Sequence, residues 1–220
     1  QLRRDVLSRV IYGGRIPLLV AVISCAISLS VGTILGWLSG FSGGRVDRTL
    51  SLIMDAIYSF PALVLAIAIV AMLGPGLANM IAAIAFVYIP AYFRVARAQT
   101  LVIREQEYVE AARSAGASTA RVLLRHVAPN TLSAVMTVPS FNIADAIVTE
   151  AALAFLGFGL PPPTPDWGFD IQNGQRFLQS GFWWLITFPG LVIVLLSLGF
   201  GIIGEGLNDL LNPRRRRVGG

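Results

Sequence analysis

The sequence contains no lysine: all 17 of its basic residues are arginine, beside one histidine and one cysteine. Charge of either sign is scarce, at 13% of positions against about 25% in ordinary soluble domains. Hydrophobic residues make up 55%, and mean hydropathy is +0.71. Each shortage excludes something. Without lysine there is no Gly-x-x-x-x-Gly-Lys-Ser/Thr loop, so any ATP hydrolysis is expected on another chain. Cys25 sits alone in an apolar run, leaving neither a disulfide nor a metal cluster to build. His126 lies in a polar stretch, and the aspartates have no matching partner motif, which argues against an intramembrane hydrolase. No catalytic residue, cofactor or metal is expected. The net charge of +5 does not point to nucleic acid, because the arginines border apolar runs and form no stripe with aromatic platforms. No signal peptide and no repeat of fixed period is visible.

What the chain does have is a series of long apolar runs. The expected fold class is all-α: a polytopic membrane helix bundle in one transmembrane domain over residues 1–220. Residues 1–15 place Val6, Leu7, Val10 and Ile11 at helical spacing among arginines and predict an amphipathic surface helix. Leu18–Leu38 is long enough to cross a bilayer, which takes about 20 residues, and glycines 40, 43 and 44 end it. Arg45, Asp47 and Arg48 follow as a short charged turn, and Asp55 stands at the next span start beside Arg48. Two further spans, about Ala56–Leu73 and Leu77–Phe93, are separated by Leu73-Gly74-Pro75-Gly76, with Pro61 and Pro90 bending or shortening them. A fourth runs from about Thr131 to Leu156. Residues 157–181 are rich in Gly and Pro and predict an outer structured loop. Aromatics Phe182, Trp183 and Trp184 then open a fifth span to Ile203, and residues 205–220 form a tail ending in Arg214–Arg217.

Residues 105–129 are the one long polar interlude. They are dominated by Glu, Gln, Ala, Leu and Arg and predict a short helix, a break at Gly116, and a second helix capped by Ser118 or Thr119. With this interlude on the cytoplasmic side, Arg45, Arg48, Arg94, Arg97, Arg104, Arg113, Arg121, Arg125 and Arg214–Arg217 lie inside, 12 of the 17. That is the bias the positive-inside rule describes. Five spans leave the two ends on opposite sides. The lack of a starting Met and this parity make a sixth, N-terminal span the expectation.

Glu110-Ala111-Ala112, three residues, Gly116 and then Pro129 thirteen positions on resemble the EAA loop of ABC importer permeases. The match departs at Ala128, where leucine is usual, and at His126, often aliphatic. The resemblance implies a cytoplasmic coupling helix that docks on an ATPase subunit, with Glu107, Glu110, Ala111, Ala112, Gly116 and Pro129 as its functional residues. Arg4-Asp5-Val6-Leu7-Ser8-Arg9, Tyr12-Gly13, Phe60-Pro61, Leu73-Gly74-Pro75-Gly76, Glu150-Ala151-Ala152-Leu153, Phe155-Leu156-Gly157 and Pro162-Pro163-Thr164-Pro165-Asp166-Trp167-Gly168 are similar to the dipeptide/oligopeptide/nickel permease group, in its second, C-type subunit. The implied function is half of a translocation pathway for di- or oligopeptides in a prokaryotic inner membrane. The implied partners are a homologous permease, two ABC ATPases, an extracellular binding protein and membrane lipid. Nickel or another small solute remains open as cargo, as does a stand-alone channel or secondary transporter.

Acids inside an apolar span cost about 2.5–3.5 kcal/mol on insertion scales, so Asn142, Asp145 and Glu150 are candidates for the pathway. Asp145 suits either a peptide amino end or an interhelical partner, and Glu150, nearer the outer end, suits a structural role. Pro163 and Trp167 are candidates for contact with the binding protein, the alternative being a plug that packs on the outer helix ends.

Overall fold

The computed structural model describes residues 5–211, and the Arg214–Arg217 run lies outside them. Eleven α-helices are described: α1 Val6–Gly13, α2 Arg15–Ser42, α3 Gly44–Tyr58, α4 Ala62–Leu73, α5 Leu77–Ile103, α6 Glu107–Ser114, α7 Thr119–Val122, α8 Ala128–Val135, α9 Val138–Leu153, α10 Trp167–Gln175 and α11 Trp184–Leu211. No strand occurs among the described residues. Single π-helical turns join α7 to α8 (Leu123–Val127) and extend α9 (Ala154–Phe158).

Four stretches are long and apolar enough to cross a membrane: Val6–Ser42, Leu77–Ile103, Val138–Phe158 and Trp184–Gly206. The expected span Ala56–Leu73 is corrected. The chain breaks at Ser59-Phe60-Pro61, because Pro61 biases Phe60 away from helical geometry, and α3 and α4 meet at 91°. Alone, the 12 residues of α4 rise about 18 Å, short of the ~30 Å hydrocarbon core, so the fifth crossing is at most this bent pair. Arg45, Asp47 and Arg48 form the first turn and a half of α3, not a free turn. Pro90 does not shorten its helix, since α5 continues 13 residues beyond it and takes in Arg94 and Arg97. The fourth span starts later than expected, because Met136 and Thr137 interrupt the helix just before Pro139. Residues 157–181 contain a nine-residue helix, α10, and α11 runs past Ile203 to Leu211.

The chain divides into two compact units. Residues 27–60, 88–139 and 204–211 make one. Its centre is a glycine ladder: a methyl group on Gly32, Gly36 or Gly40 of α2 would come within 2.6, 2.7 and 2.8 Å of α5. Glycine at every fourth position lets two backbones approach closely where lipid offers no competing hydrophobic drive. Polar bonds close the end of that contact. Arg97 donates to both carboxylate oxygens of Asp47 (2.5 and 2.7 Å), Ser39 donates to the same group (2.5 Å), and Arg104 Nη1 donates to the Gly40 carbonyl (2.7 Å). Asp55 pairs with Arg94 at 2.8 Å instead of lying by Arg48, and the Arg94 guanidinium covers the Tyr58 ring.

Residues 5–26, 61–87 and 140–203 make the other unit. Asp5 caps α1, accepting from the backbone N–H of Leu7 and Ser8, and Leu7 and Ile11 point outward as an interfacial helix requires. Asp166 caps α10 in the same way, accepting from Phe169 N–H (3.2 Å). The start of α10 lies so close to α9 that a Cβ on Gly168 would run into the Ala151 carbonyl.

Candidate functional site

The polar interlude folds into a short exposed helix on a firm base. Helix α6 has Glu107 and Glu110 in its first turn and Arg113 in its last, charges that oppose the helix dipole correctly at each end. Its inward residue is Val109, fully buried with Val122 and Val127, against Phe41, Ile103, Ala117 and Leu123. The Arg113 guanidinium stacks 5.1 Å from the Phe41 ring. Tyr108 donates from its hydroxyl to the His126 carbonyl (3.4 Å), and Asn130 Nδ2 donates to that carbonyl as well (2.6 Å). Glu107, Glu110 and Ala111 are exposed and Ala112 is half-buried, so one acidic, small-residue face points away from the base. Beside it opens a concavity lined by Arg104, Glu105, Glu110, Arg113 and Ser114.

Gly116 ends α6. Its φ is +82°, the N–H of Ala117 bonds the Ala112 carbonyl (3.1 Å), and its own N–H bonds that of Arg113 (2.9 Å). This is a Schellman stop with glycine at the left-handed position. Nothing in the chain lies within 4 Å of a Cβ built there, so within this fold glycine is required by the turn of the backbone. Ser118 occupies the N-cap of α7, without a side-chain capping bond. Pro129 stands at the start of α8, exposed, where its missing N–H costs nothing.

The pathway candidates separate. Asn142 and Asp145 are three residues apart and share a face of α9. Asp145 is exposed, and Asn142 is half-buried with an amide nitrogen that has no hydrogen-bond partner. Glu150 lies about 140° around the helix from Asp145. It is fully buried, facing Asp166. In this chain its carboxyl is turned inward, toward α10. Trp167 packs inside the chain. It is 2% exposed, its indole N–H donates to the Val10 carbonyl (2.7 Å), and its ring fills the notch left by Gly13 and Gly14. Pro163 stays exposed, beside Pro161 and Pro162.

Sequence reasoning missed three features here. The Gly32–Gly36–Gly40 spacing was available as a signal for close helix contact. The Arg9–Asp170 ion pair and the Glu150–Asp166 contact, spanning 161 and 16 residues, had no local signal.

Long apolar helices, a bent pair and an exposed polar helix on a packed base define a polytopic α-helical membrane protein. Residues 32–217 match the family described as binding-protein-dependent transport system inner membrane component. The chain is 42% identical to the di/tripeptide transport system permease protein DppC of Pseudomonas aeruginosa, over 99% of this chain and 72% of that one. It is 41% identical to the probable D,D-dipeptide transport system permease protein DdpC of Escherichia coli K12, over 96% and 70%. Its fold resembles a chain of the inward-facing MetNI methionine ABC transporter, with TM-score 0.72 at 16% identity over 94% of this chain and 97% of that one. A chain of an amino acid ABC transporter gives TM-score 0.63 at 17% identity, over 98% and 100%. The chain belongs to the binding-protein-dependent inner-membrane component family: it is a multi-pass permease subunit of an ABC importer.

Proposed function

We propose that the chain forms half of a translocation pathway for di- or oligopeptides and is driven through α6 by separate ATPase subunits. The observation that carries the coupling role is the exposed face of Glu107, Glu110 and Ala111, held on the buried Val109–Val122–Val127 base. A helix fixed from behind and bare in front transmits a push instead of absorbing it. One end of α6 follows α5 after three residues, and the other leads through Gly116 and α7 into α8, so displacement of α6 reaches two membrane-directed elements. The peptide cargo is supported by the relatives named for di- and tripeptide or dipeptide transport. A homologous permease, two ABC ATPases and an extracellular binding protein complete the assembly. Asn142 and Asp145 are the residues proposed to face the cargo. The exposed prolines 161–163 are proposed to face the binding protein.

The test is a reconstituted assembly carrying Glu110→Lys, with Ser118→Ala as control. Reversing a charge at a protein interface costs several kcal/mol. The variant should insert and pair normally, yet lose co-purified ATPase or its substrate stimulation and with it dipeptide uptake. Wild-type uptake by Glu110→Lys removes the coupling reading. Uptake of nickel and no peptide by the unaltered assembly removes the peptide reading.

A further inference from the structure

Glu150, in the last turn of α9, and Asp166, at the N-cap of α10, are both fully buried, and their carboxyl groups interact. Three of their four oxygens, both of Glu150 and Oδ2 of Asp166, have no hydrogen-bond donor. Oδ1 of Asp166 is engaged as the cap of α10, accepting from Phe169 N–H. The charges around the pair do not neutralise it. The neighbouring carboxylate is Asp170, on α10, and Arg9 of α1 is bonded to that group. Helix α4, which packs near the end of α9, carries no ionisable residue, and neither does α11 within this unit. Two carboxylates in contact, away from water and without a cation, repel and lose their solvation together. One proton between them removes a charge, supplies the missing donor and satisfies two oxygens at once. Burial also pushes the Asp166 carboxyl up, opposed by hydrogen bonding to Glu150 and to the backbone N–H of Phe169 and Gly168.

We propose that Glu150 and Asp166 together bind one proton, and that this proton is the latch holding α10 on α9. Helix α10 in turn holds α1, through the Trp167 indole on the Val10 carbonyl and the Asp170–Arg9 ion pair. Opening the latch breaks the acid O–H bond, delivers the proton to water and leaves two solvated carboxylates with ordinary values near 4. Above that range the closed state holds one proton more than the open state, so closure is strongest at low pH and weakens as pH rises.

The experiment is amide hydrogen exchange in residues 167–175, on the full chain within its purified transporter complex, corrected for the intrinsic pH dependence of exchange. Across the neutral-to-alkaline range, the opening equilibrium of the unaltered protein should rise about tenfold per pH unit, the signature of one released proton. Glu150→Gln and Asp166→Asn each replace the shared proton with a permanent amide donor, and Asn caps a helix as well as Asp does. Both variants should show protection that no longer depends on pH. A flat profile in the unaltered protein, or the same slope in protein and variants, overturns the proposal. So does protection that follows sodium or potassium concentration in place of pH, which would mean that a metal cation occupies the pair.

Discussion

At Gly116 the backbone sits at φ +82° with open space where a side chain would be, so the cost of any substitution there is conformational. A left-handed residue other than glycine costs roughly 1–2 kcal/mol, least for Asn and most for a β-branched residue. Substrate-stimulated ATPase should therefore fall in the order Gly, Asn, Ala, Val at this position. Equal loss for Asn and Val would mean that bulk at an interface, not the turn, sets the requirement. Gly168 presents the opposite case, with ordinary φ but no room, because a Cβ would strike the Ala151 carbonyl. Here Ala alone should loosen α10, visible as faster amide exchange in residues 167–175 at every pH. Protection unchanged in Gly168→Ala would contradict the packing described between α9 and α10.

Among elements, the α2–α5 pair depends on small residues and a few charge-assisted bonds in place of a thick apolar seam. A side chain at Gly36 would meet both the Ala96 methyl and the Phe93 carbonyl at 2.7 Å, and a carbonyl of a continuous helix cannot step aside. Overpacking of this kind costs about 1–3 kcal/mol. Gly36→Leu should lower the melting temperature of the purified complex, with Gly36→Ala falling between it and the unaltered protein. A melting temperature unmoved by leucine would refute the close contact. The second contact between elements is α1 on α10. Trp→Ala truncations of buried sites cost about 3–5 kcal/mol, and Trp167 supplies both the packing and the bond to Val10. Trp167→Ala should thus release α1, raising amide exchange in residues 6–13, while exchange in α6 stays as it was. Release of neither helix would place the Trp167 contribution elsewhere.

For the whole molecule, orientation in the membrane decides which surfaces meet which partners. The arginine bias predicts α6 in the cytoplasm and residues 157–181 outside. Ser118 and Gln175 are both exposed, one in each region. Single cysteines at these positions, in a Cys25→Ala background, should react with an impermeant reagent from opposite sides of sealed vesicles. Reaction from one side alone would reverse the topology and with it the docking role of α6. Helix α11 also acts at this scale: only 6% of its apolar window is buried inside the chain, and Leu195, Leu198 and Ile202 are each more than half exposed. Such a surface is stable in hydrocarbon, where it carries no penalty.

The sequence alone determined whatever depends on local sums. Hydropathy over some twenty residues marked the membrane segments, and the absence of lysine removed the phosphate loop. Glycine marked the stops at Gly43–Gly44, Gly74–Gly76 and Gly116, since backbone freedom belongs to single residues. Residues 105–129 were legible as a short helix, a glycine stop and a second helix, because a polar, helix-forming stretch broken by Gly116 is a local pattern. The tertiary structure decided what depends on distance. Trp167, read as a contact residue or as part of a plug on the helix ends, fills a notch made by Gly13 and Gly14, more than 150 residues earlier. Glu150, read as a pathway candidate, meets Asp166 because α10 caps and packs onto α9. Whether a buried carboxyl finds a cation, a donor or another acid is set by which helices touch, and no pattern within a helix encodes its neighbour.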